Sequence, residues 1–393
     1  MSKFKFGLLS KVIVAIILGI LAAFITPVEI VRAVVTLTDI FGKYLSFIIP
    51  LIIIGLVVPG IADLGKGAGR LLGITVIIAY TSTLMAGFFS YFTTSFSLPL
   101  MMERSASLNS TVTEGADKIT SYFSISIPPI VDIMSALVLA FILGLTISTI
   151  KGGIIKAFVN EFKDIINIVI NKSIIPLLPF YIFGIFLKLT KEGQVSIVLG
   201  LFFKVILIIF AMHVIWLLFQ YTVAWLVSGK NPFRALYNML PAYMTALGTQ
   251  SSAATIPVTR AQVSKNGVNE DIADFVVPLC ATIHLAGSTL KITACAYALM
   301  WMLGLPSGLD MFTGFIFMLG VIMVAAPGVP GGAIMAATGI LQSMLGFDQT
   351  NIALMIALYI TMDSFGTACN VTGDGAIAII MDKIYRKRGY NTR

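Results

Sequence analysis

The segment from Asp363 to Gly375 reads DSFGTACNVTGDG and lies inside an otherwise apolar run near the C-terminus. It carries two aspartates and an asparagine, and none of its residues is positively charged. Ionisable side chains inside a membrane-spanning helix are costly and are functional by default. The segment therefore predicts a buried polar site at the centre of a membrane protein.

The composition supports a membrane protein. Hydrophobic residues make up 58% of the 393 residues and charged residues 11%, whereas soluble domains carry roughly 25% charged residues. Lys and Arg outnumber the acidic residues by 26 to 18 and gather beside apolar segments, as in MSKFKFGLLSK and KIYRKRGYNTR at the two ends. This bias predicts an even number of crossings with both termini in the cytoplasm. We expect a multi-pass protein of the plasma (inner) membrane and no nucleic-acid partner.

Apolar stretches long enough to cross a bilayer need about 20 residues. They predict eight spans: 8–27, 37–62, 70–99, 127–150 (a continuation to 171 is left open), 173–190, 194–228, 270–304 and 349–385. The polar insert at 101–123 predicts an exposed loop.

Two further apolar stretches, 232–265 and 310–347, are too short for two crossings each. They are interrupted by GTQSSAATIP and APGVPGGAIMA. Such breaks predict re-entrant helical hairpins, because non-helical backbone at membrane depth must be covered by protein or line a cavity. Each hairpin precedes a span with a polar interior, and this repeated order is typical of inverted-repeat transporters. The predicted fold is an all-α integral membrane protein with eight transmembrane helices and two re-entrant hairpins. A membrane bundle with glycine-rich packing seams is the structural alternative.

The first hairpin and the seventh span contribute polar groups to this interior. Ser251 and Ser252 offer hydroxyls at a tight turn, where the positive end of a half-helix suits a carboxylate. His284 and Lys291 lie seven residues apart, near the same helical face. The alternatives for these two are a histidine bonded to a carbonyl group and a lysine that snorkels to an interface. Because H-E-x-x-H, G-x-S-x-G and Walker A motifs are missing from the sequence, we do not expect an enzyme.

The eighth span places four polar residues on one helical face, because they are spaced by four, three and four positions. They are Asp363, Thr367, Asn370 and Asp374. The two aspartates are eleven residues apart, about 16 Å along a helix, so we expect them to serve different ligands. Gly373 and Gly375 predict local unwinding that would free carbonyl oxygens for a cation such as Na⁺. A structural ion pair between an aspartate and Lys291 is the alternative.

Four ordered motifs resemble the glutamate-transporter-like family of dicarboxylate/amino acid:cation symporters. They are S-S-x-x-T-I-P-V-T in the first hairpin, P-L-x-A-T-I in the seventh span, G-V-P-G in the second hairpin and N-V-T-G-D in the eighth span. The resemblance implies a homotrimer that works by an elevator mechanism. It also implies scaffold spans 1–2 at 1–69, span 3 of the transport domain at 70–99, a loop and scaffold spans 4–5 at 100–193, and the core of the transport domain at 194–393.

The same resemblance implies site residues. Ser252 and Asn370 would hold the α-carboxylate of an amino acid, Asp363 its amino group, and Thr367 would touch its side chain. The full substrate-binding set is Ser251, Ser252, Val329, Pro330, Gly331, Asp363, Gly366, Thr367 and Asn370. The cation or coupling sites would draw on Asn370, Asp374, Tyr80, Thr83, His284 and Ser288. No covalent cofactor is expected; the coupling ion would be Na⁺, with H⁺ as the alternative.

Departures from the family pattern affect the predicted substrate. Acidic-amino-acid members carry an arginine where this chain has Gly366, and Gln250 replaces an arginine often found in the first hairpin. Burying an unpaired acidic group is strongly unfavourable. We therefore predict a small neutral amino acid such as Ser, Thr or Ala.

The alternative is a dicarboxylate or acidic amino acid with Lys291 as its carboxylate partner, carried by a symporter that could be proton-coupled. The family's N-M-D-G-T is replaced by the residues from His284 to Ser288. This replacement leaves the number of coupled sodium ions open, and histidine is suited to proton exchange near neutral pH.

Overall fold

The computed structural model describes residues 7–64, 69–101, 119–150, 153–326 and 328–386. Within these ranges all the regular elements are helical. In chain order they are α1 (Leu8–Ile25), α2 (Val28–Leu64), α3 (Gly69–Met101), α4 (Ile133–Thr149), α5 (Ile154–Val169), a π-helical turn (Ile170–Ile174), α6 (Ile175–Lys191), α7 (Val195–Ser228), α8 (Pro232–Asn238), α9 (Leu240–Thr249), α10 (Ser252–Lys265), α11 (Glu270–Ile283), α12 (Ala286–Met302), α13 (Leu309–Ala325), α14 (Gly332–Leu345), α15 (Gln349–Thr361) and α16 (Asp363–Arg386).

Several of these helices are long and apolar enough to cross a membrane. Six stretches in the described residues meet this condition, and the bent pair α15 and α16 would make a seventh. The predicted span at 127–150 corresponds to α4, which has 17 residues. Over the described residues the structure thus confirms an all-helical fold with several helices capable of spanning a membrane, while the number of eight spans stays a prediction.

The chain around residue 171 differs from the prediction. The predicted spans, one left open to continue to 171 and the next beginning at 173, placed a boundary there. The structure instead runs as one helix from Ile154 to Lys191, and the polar residues Asn171, Lys172 and Ser173 lie within the π-helical turn. A π-turn inserts residues into an α-helix without ending it. The interruption lies earlier, between the end of α4 and the start of α5.

At each predicted hairpin two consecutive helices pack against each other, and their re-entrant course in a membrane stays a prediction. In the first, α9 packs against α10; its tip contains Gln250 in the left-handed region (φ 53°) and Ser251 as the N-cap of α10. In the second, α13 packs against α14. Its tip ends at Gly331, whose φ of 73° favours glycine. Ser251 and Gly331 are the N-caps of α10 and α14, whereas Gln250 and Ala326 are the C-caps of α9 and α13.

Each hairpin is followed by an interrupted helix, so the predicted order recurs. Helix α11 ends at Ile283 and α12 begins at Ala286, which leaves His284 and Leu285 in non-helical backbone. Helices α15 and α16 meet at Met362 with a bend of 61°. The interruptions therefore fall beside His284 and Asp363, two of the predicted site residues.

Helix packing connects the N-terminal helices with the C-terminal ones. Helix α2 packs against α4, α5 and α6 and also against α13 and α14, and α1 packs against α6 and α15. Helix α16 lies in contact with α7, α9, α10, α11 and α12. Nearly all of α16 is buried, so its polar residues face protein. The scaffold and transport-domain boundaries remain predictions, and most of the predicted loop (102–118), like the basic ends at 1–6 and 387–393, lies outside the described residues.

Candidate functional site

A buried ion pair joins α12 to the start of α16. The Lys291 ammonium lies 3.2 Å from Asp363 Oδ1, and the two side chains are 0% and 5% exposed. The ammonium also lies 3.4 Å from the ring centroid of Tyr359. Charges this deeply buried need a partner, because desolvation penalises each ion by several kcal/mol. The alternative left open for Lys291, an ion pair with an aspartate, is the arrangement that the structure shows.

Asp363 also contacts the second hairpin. Its Oδ2 accepts a hydrogen bond of 2.7 Å from the backbone N–H of Gly331 at the hairpin tip. The bend at Met362 places Asp363 at the first position of α16, where a carboxylate is favoured by the helix dipole. One carboxylate thus links Lys291, the hairpin tip and a helix N-terminus.

The Lys291 ammonium occupies the space beside Gly366. A Cβ atom built on Gly366 would lie 2.8 Å from Lys291 Nζ and 3.2 Å from its Cε. A side chain at position 366 would therefore compete with the lysine for the same space. The positive charge that is missing at position 366 is supplied by a lysine from the neighbouring helix.

Asn370 caps the N-terminus of α12. Its Oδ1 accepts hydrogen bonds from the backbone N–H groups of Gly287 (2.8 Å) and Ser288 (3.2 Å). Its Nδ2 donates to Ser288 Oγ at 3.1 Å, and the Tyr359 hydroxyl donates to the same oxygen at 3.1 Å. These bonds satisfy groups that a helix terminus leaves without intrahelical partners.

A second buried pair joins the interruption between α11 and α12 to α16. His284 Nδ1 lies 2.8 Å from Asp374 Oδ1, and the side chains are 0% and 1% exposed. On the other side of the ring, His284 Nε2 lies 3.0 Å from Ser82 Oγ and 3.3 Å from Gln220 Nε2. The imidazole is held by groups from three other helices, α3, α7 and α16.

The hairpin tips touch each other. Ser251 Oγ donates a 2.7 Å hydrogen bond to the carbonyl oxygen of Gly328 in the second tip, and it also accepts from the N–H of Ala254 as the cap of α10. Ser252 is buried beside it, whereas Val329 and Pro330 are partly exposed. The two predicted tips are brought together.

Two hydroxyl groups of the predicted cation or coupling set, on Tyr80 and Thr83, make other contacts. The Tyr80 hydroxyl donates to the carbonyl of Phe317 at 3.3 Å, and Thr83 Oγ1 donates to Ala79 of its own helix at 2.9 Å. Thr367 is buried on α16. Among the described residues, no group of three or more His, Cys, Asp and Glu side chains is placed to hold a metal ion.

The glycines near Asp374 do not unwind α16, and this expectation was wrong. The helix continues from Asp363 to Arg386. A Cβ on Gly373 would lie 2.7 Å from Gln220 Oε1, and one on Gly375 would lie 2.6 Å from the Tyr221 hydroxyl. The glycines allow side chains of α7 to pack directly on the backbone of α16.

Comparison with known proteins identifies the family. The profile described as "Sodium:dicarboxylate symporter family" matches residues 8–384. The chain belongs to the sodium:dicarboxylate symporter family.

Relatives in this family carry the names of amino acid transporters. Excitatory amino acid transporter 3 of Mus musculus is 30% identical over 268 residues, which cover 65% of this chain and 50% of the relative. The Homo sapiens protein of the same name is 29% identical over 264 residues, which cover 65% of this chain and 49% of the relative. Neutral amino acid transporter B(0) of Rattus norvegicus is 26% identical over 249 residues, which cover 62% and 44%. The chain spans about half the length of the curated relatives that it matches.

Two residues of the site were not singled out from the sequence. Gln220 is an amide within the apolar run of α7, and this isolated polar residue was a signal that could have been used. Tyr359, which lies under Lys291, has no such local signal, because a tyrosine within an apolar helix is ordinary. Both were found only through contacts between helices that are distant in sequence.

Proposed function

We propose that this member of the sodium:dicarboxylate symporter family is a cation-coupled secondary transporter of a small anion with two carboxylate groups, an acidic amino acid or a dicarboxylate. The observation that carries the proposal is the position of the Lys291 ammonium beside Gly366, 2.8 Å from the place that a Cβ atom at that residue would occupy. The neutral-substrate prediction depended on the missing positive charge at position 366. Lys291 supplies a positive charge at that place.

The ammonium can bind a ligand carboxylate without leaving Asp363. An ammonium group has three N–H donors, and the hydrogen bond to Asp363 uses one of them. A carboxylate of the substrate would take another donor and would not be buried unpaired. The other carboxylate of the substrate would bind at the hairpin tip, where Ser251 and Ser252 begin α10 and the helix dipole favours an anion.

Access to this site depends on the second hairpin. Gly331 donates to Asp363 in the observed conformation, and Lys291 and Asp363 are buried behind that contact. Withdrawal of the tip would release Asp363 Oδ2 and open a path to Lys291. Asp363 would then be free to receive the amino group of an acidic amino acid, or would stay paired with Lys291 when a dicarboxylate binds.

A small neutral amino acid is the second candidate. Its support is that Lys291 and Asp363 already neutralise each other, so the pair does not require an anionic substrate. A relative named for neutral amino acid transport is also similar to this chain.

The remaining features of the proposal come from the family. Its description supports Na⁺ as the coupled cation. We propose a homotrimer in the plasma (inner) membrane with both termini in the cytoplasm, working by an elevator mechanism in which the second hairpin is the gate.

Uptake into proteoliposomes tests the proposal. Purified protein would be given radiolabelled aspartate, glutamate, succinate, serine, threonine and alanine under an inward sodium gradient. We expect the diacids to be accumulated and Lys291→Met to lose their uptake. Lys204→Met, which removes a lysine from α7 outside the site, is the matched control and should keep wild-type uptake. Wild-type uptake of serine, threonine or alanine alone, undiminished by Lys291→Met, would favour the neutral candidate and refute the dicarboxylate proposal.

A further inference from the structure

The region around Asp374 does not fit a bound sodium ion. The family description implies Na⁺, and Asp374 and Asn370 are the residues expected to line a cation site. Transporter sodium sites draw oxygen ligands from side chains and from unwound backbone. The residues present can therefore be judged by whether their oxygen atoms are free.

One oxygen of the Asp374 carboxylate is already engaged by a neighbouring side chain. Its Oδ1 accepts a 2.8 Å hydrogen bond from His284 Nδ1. The imidazole reaches this position because the chain leaves helical geometry at His284, where φ is −111° and ψ is 91°. The His284 imidazole thus lies beside the Asp374 carboxylate, at the position where a cation would otherwise bind.

Gln220 fixes the orientation of the imidazole. Its Nε2 lies 3.3 Å from His284 Nε2 and donates to Ser82 Oγ at 3.0 Å. In this orientation of the Gln220 amide, which leaves its Oε1 without a partner, the amide nitrogen donates, so that His284 Nε2 is the acceptor and the ring N–H is on Nδ1, directed at Asp374. Gln220 in this orientation favours the tautomer that bonds to the carboxylate.

The space beside Asp374 is also filled. A Cβ on Gly373 would lie 2.7 Å from Gln220 Oε1 and 2.9 Å from His284 Cε1. Both side chains thus pack directly against the backbone of α16 next to the carboxylate. There they occupy volume that an ion and its ligands would need.

The side-chain oxygen expected from Asn370 is in use as well, whereas Gln220 Oε1 and Thr372 Oγ1 are buried without a hydrogen-bond partner. Asn370 Oδ1 accepts from two backbone N–H groups at the start of α12. Helix α16 is continuous here, so its carbonyl groups remain in the helical hydrogen-bond pattern. The carbonyl of Thr372 additionally accepts a 2.8 Å hydrogen bond from the Tyr221 hydroxyl.

We infer that His284 closes the Asp374 site to sodium and is a specificity-determining residue for the coupled cation, with Gln220 as its positioning residue. The inference rests on the proposed function in one respect, that Na⁺ is the cation offered to the protein. It assigns any sodium-dependent step of this chain to residues other than Asp374. Replacing the imidazole should open the carboxylate to Na⁺.

Thermal unfolding in detergent tests the inference without transport. The readout is the shift in apparent Tm when NaCl replaces choline chloride at equal ionic strength, since a ligand that binds the folded state stabilises it. We expect wild type and Asp374→Asn to show the same shift. His284→Asn should gain an additional upward shift, and this gain should disappear in the double variant His284→Asn/Asp374→Asn.

The chain offers a matched control in the second of its two histidines. His213 is buried on α7, with Nε2 3.3 Å from the carbonyl of Gly287, and His213→Asn should gain no sodium-dependent shift. Gln220→Leu removes the positioning amide and should gain a shift in the same direction as His284→Asn, which a purely structural role would not produce.

A sodium shift in wild type that Asp374→Asn abolishes would overturn the inference, and so would a folded His284→Asn without any gain. If His284→Asn does not fold, the comparison of wild type with Asp374→Asn still decides whether the Asp374 carboxylate binds sodium. Uptake in proteoliposomes reports the proposed function separately. A chain that transports none of the offered substrates would refute transport and leave the sodium shifts interpretable.

Discussion

Removing Lys291 should destabilise the protein through its partner. In the folded state Lys291→Met leaves the Asp363 carboxylate buried, with the Gly331 N–H as a remaining donor. At the observed 3.2 Å, two unit charges attract by about 5 kcal/mol at an effective dielectric constant of roughly 20. Breaking a buried pair by deleting one partner costs about 3–5 kcal/mol, because the other charge stays desolvated and uncompensated.

The double variant separates this pairing from the loss of the lysine itself. Lys291→Met/Asp363→Asn contains neither charge, and replacing a whole buried pair is often neutral or stabilising. We therefore expect each single change to lower the free energy of unfolding by about 3 kcal/mol or more. The double variant should be less destabilised than the sum, with an interaction energy of at least about 2 kcal/mol.

Denaturant titration in detergent measures the free energy of unfolding of the four proteins in this double-mutant cycle, which are wild type, the two single variants and the double variant. Lys204→Met controls for the general effect of replacing a lysine in a membrane helix and should change the free energy of unfolding by less than about 0.5 kcal/mol. Additive single changes, with an interaction energy near zero, would refute the buried pair as we describe it.

Two further changes probe contacts that shape the site. Ser251→Ala removes the 2.7 Å hydrogen bond to the Gly328 carbonyl, so the hairpin tips should separate more often. A thiol probe should then label a cysteine introduced at a tip faster than it labels the same cysteine in the parent protein. Unchanged labelling would contradict a contact that holds the tips together. Gly287→Ala places a Cβ 2.7 Å from Cys369 Cβ, and this overpacking should lower the free energy of unfolding by about 1–3 kcal/mol. Gly200→Ala, whose Cβ would meet nothing within 4 Å, is the control and should be neutral or stabilising; equal effects of the two changes would argue against close packing of α12 on α16.

The breaks within the two predicted hairpin segments could be predicted from the sequence, because Pro, Gly and Ser interrupt helices locally. The tips at Gln250 and Gly331 lie in the segments that those residues mark. The residues at which the helices are interrupted were harder to predict from the sequence. Met362 and His284 carry no local signal for a break, whereas Gly373 and Gly375 do and yet remain helical.

The pairing of charges could not be derived from local spacing. Lys291 and Asp363 are 72 residues apart, and His284 and Asp374 are 90 apart. Each pair forms because α12 and α16 pack against each other in three dimensions. The sequence placed all four residues in the site, but the packing of these helices determines which carboxylate each basic side chain meets. That packing also brings Lys291 to Gly366, which changes the expected substrate.

The central claim is that the site recognises a second carboxylate through Lys291. Its most direct test is the equilibrium binding of matched pairs of ligands, aspartate with asparagine and glutamate with glutamine, measured by calorimetry on the purified protein. The two members of a pair have nearly the same size and differ in one carboxylate. We predict that the acid binds at least about tenfold more tightly, a difference of roughly 1.4 kcal/mol, and that Lys291→Met removes this preference. Equal or tighter binding of the amide by the wild-type protein would contradict the account.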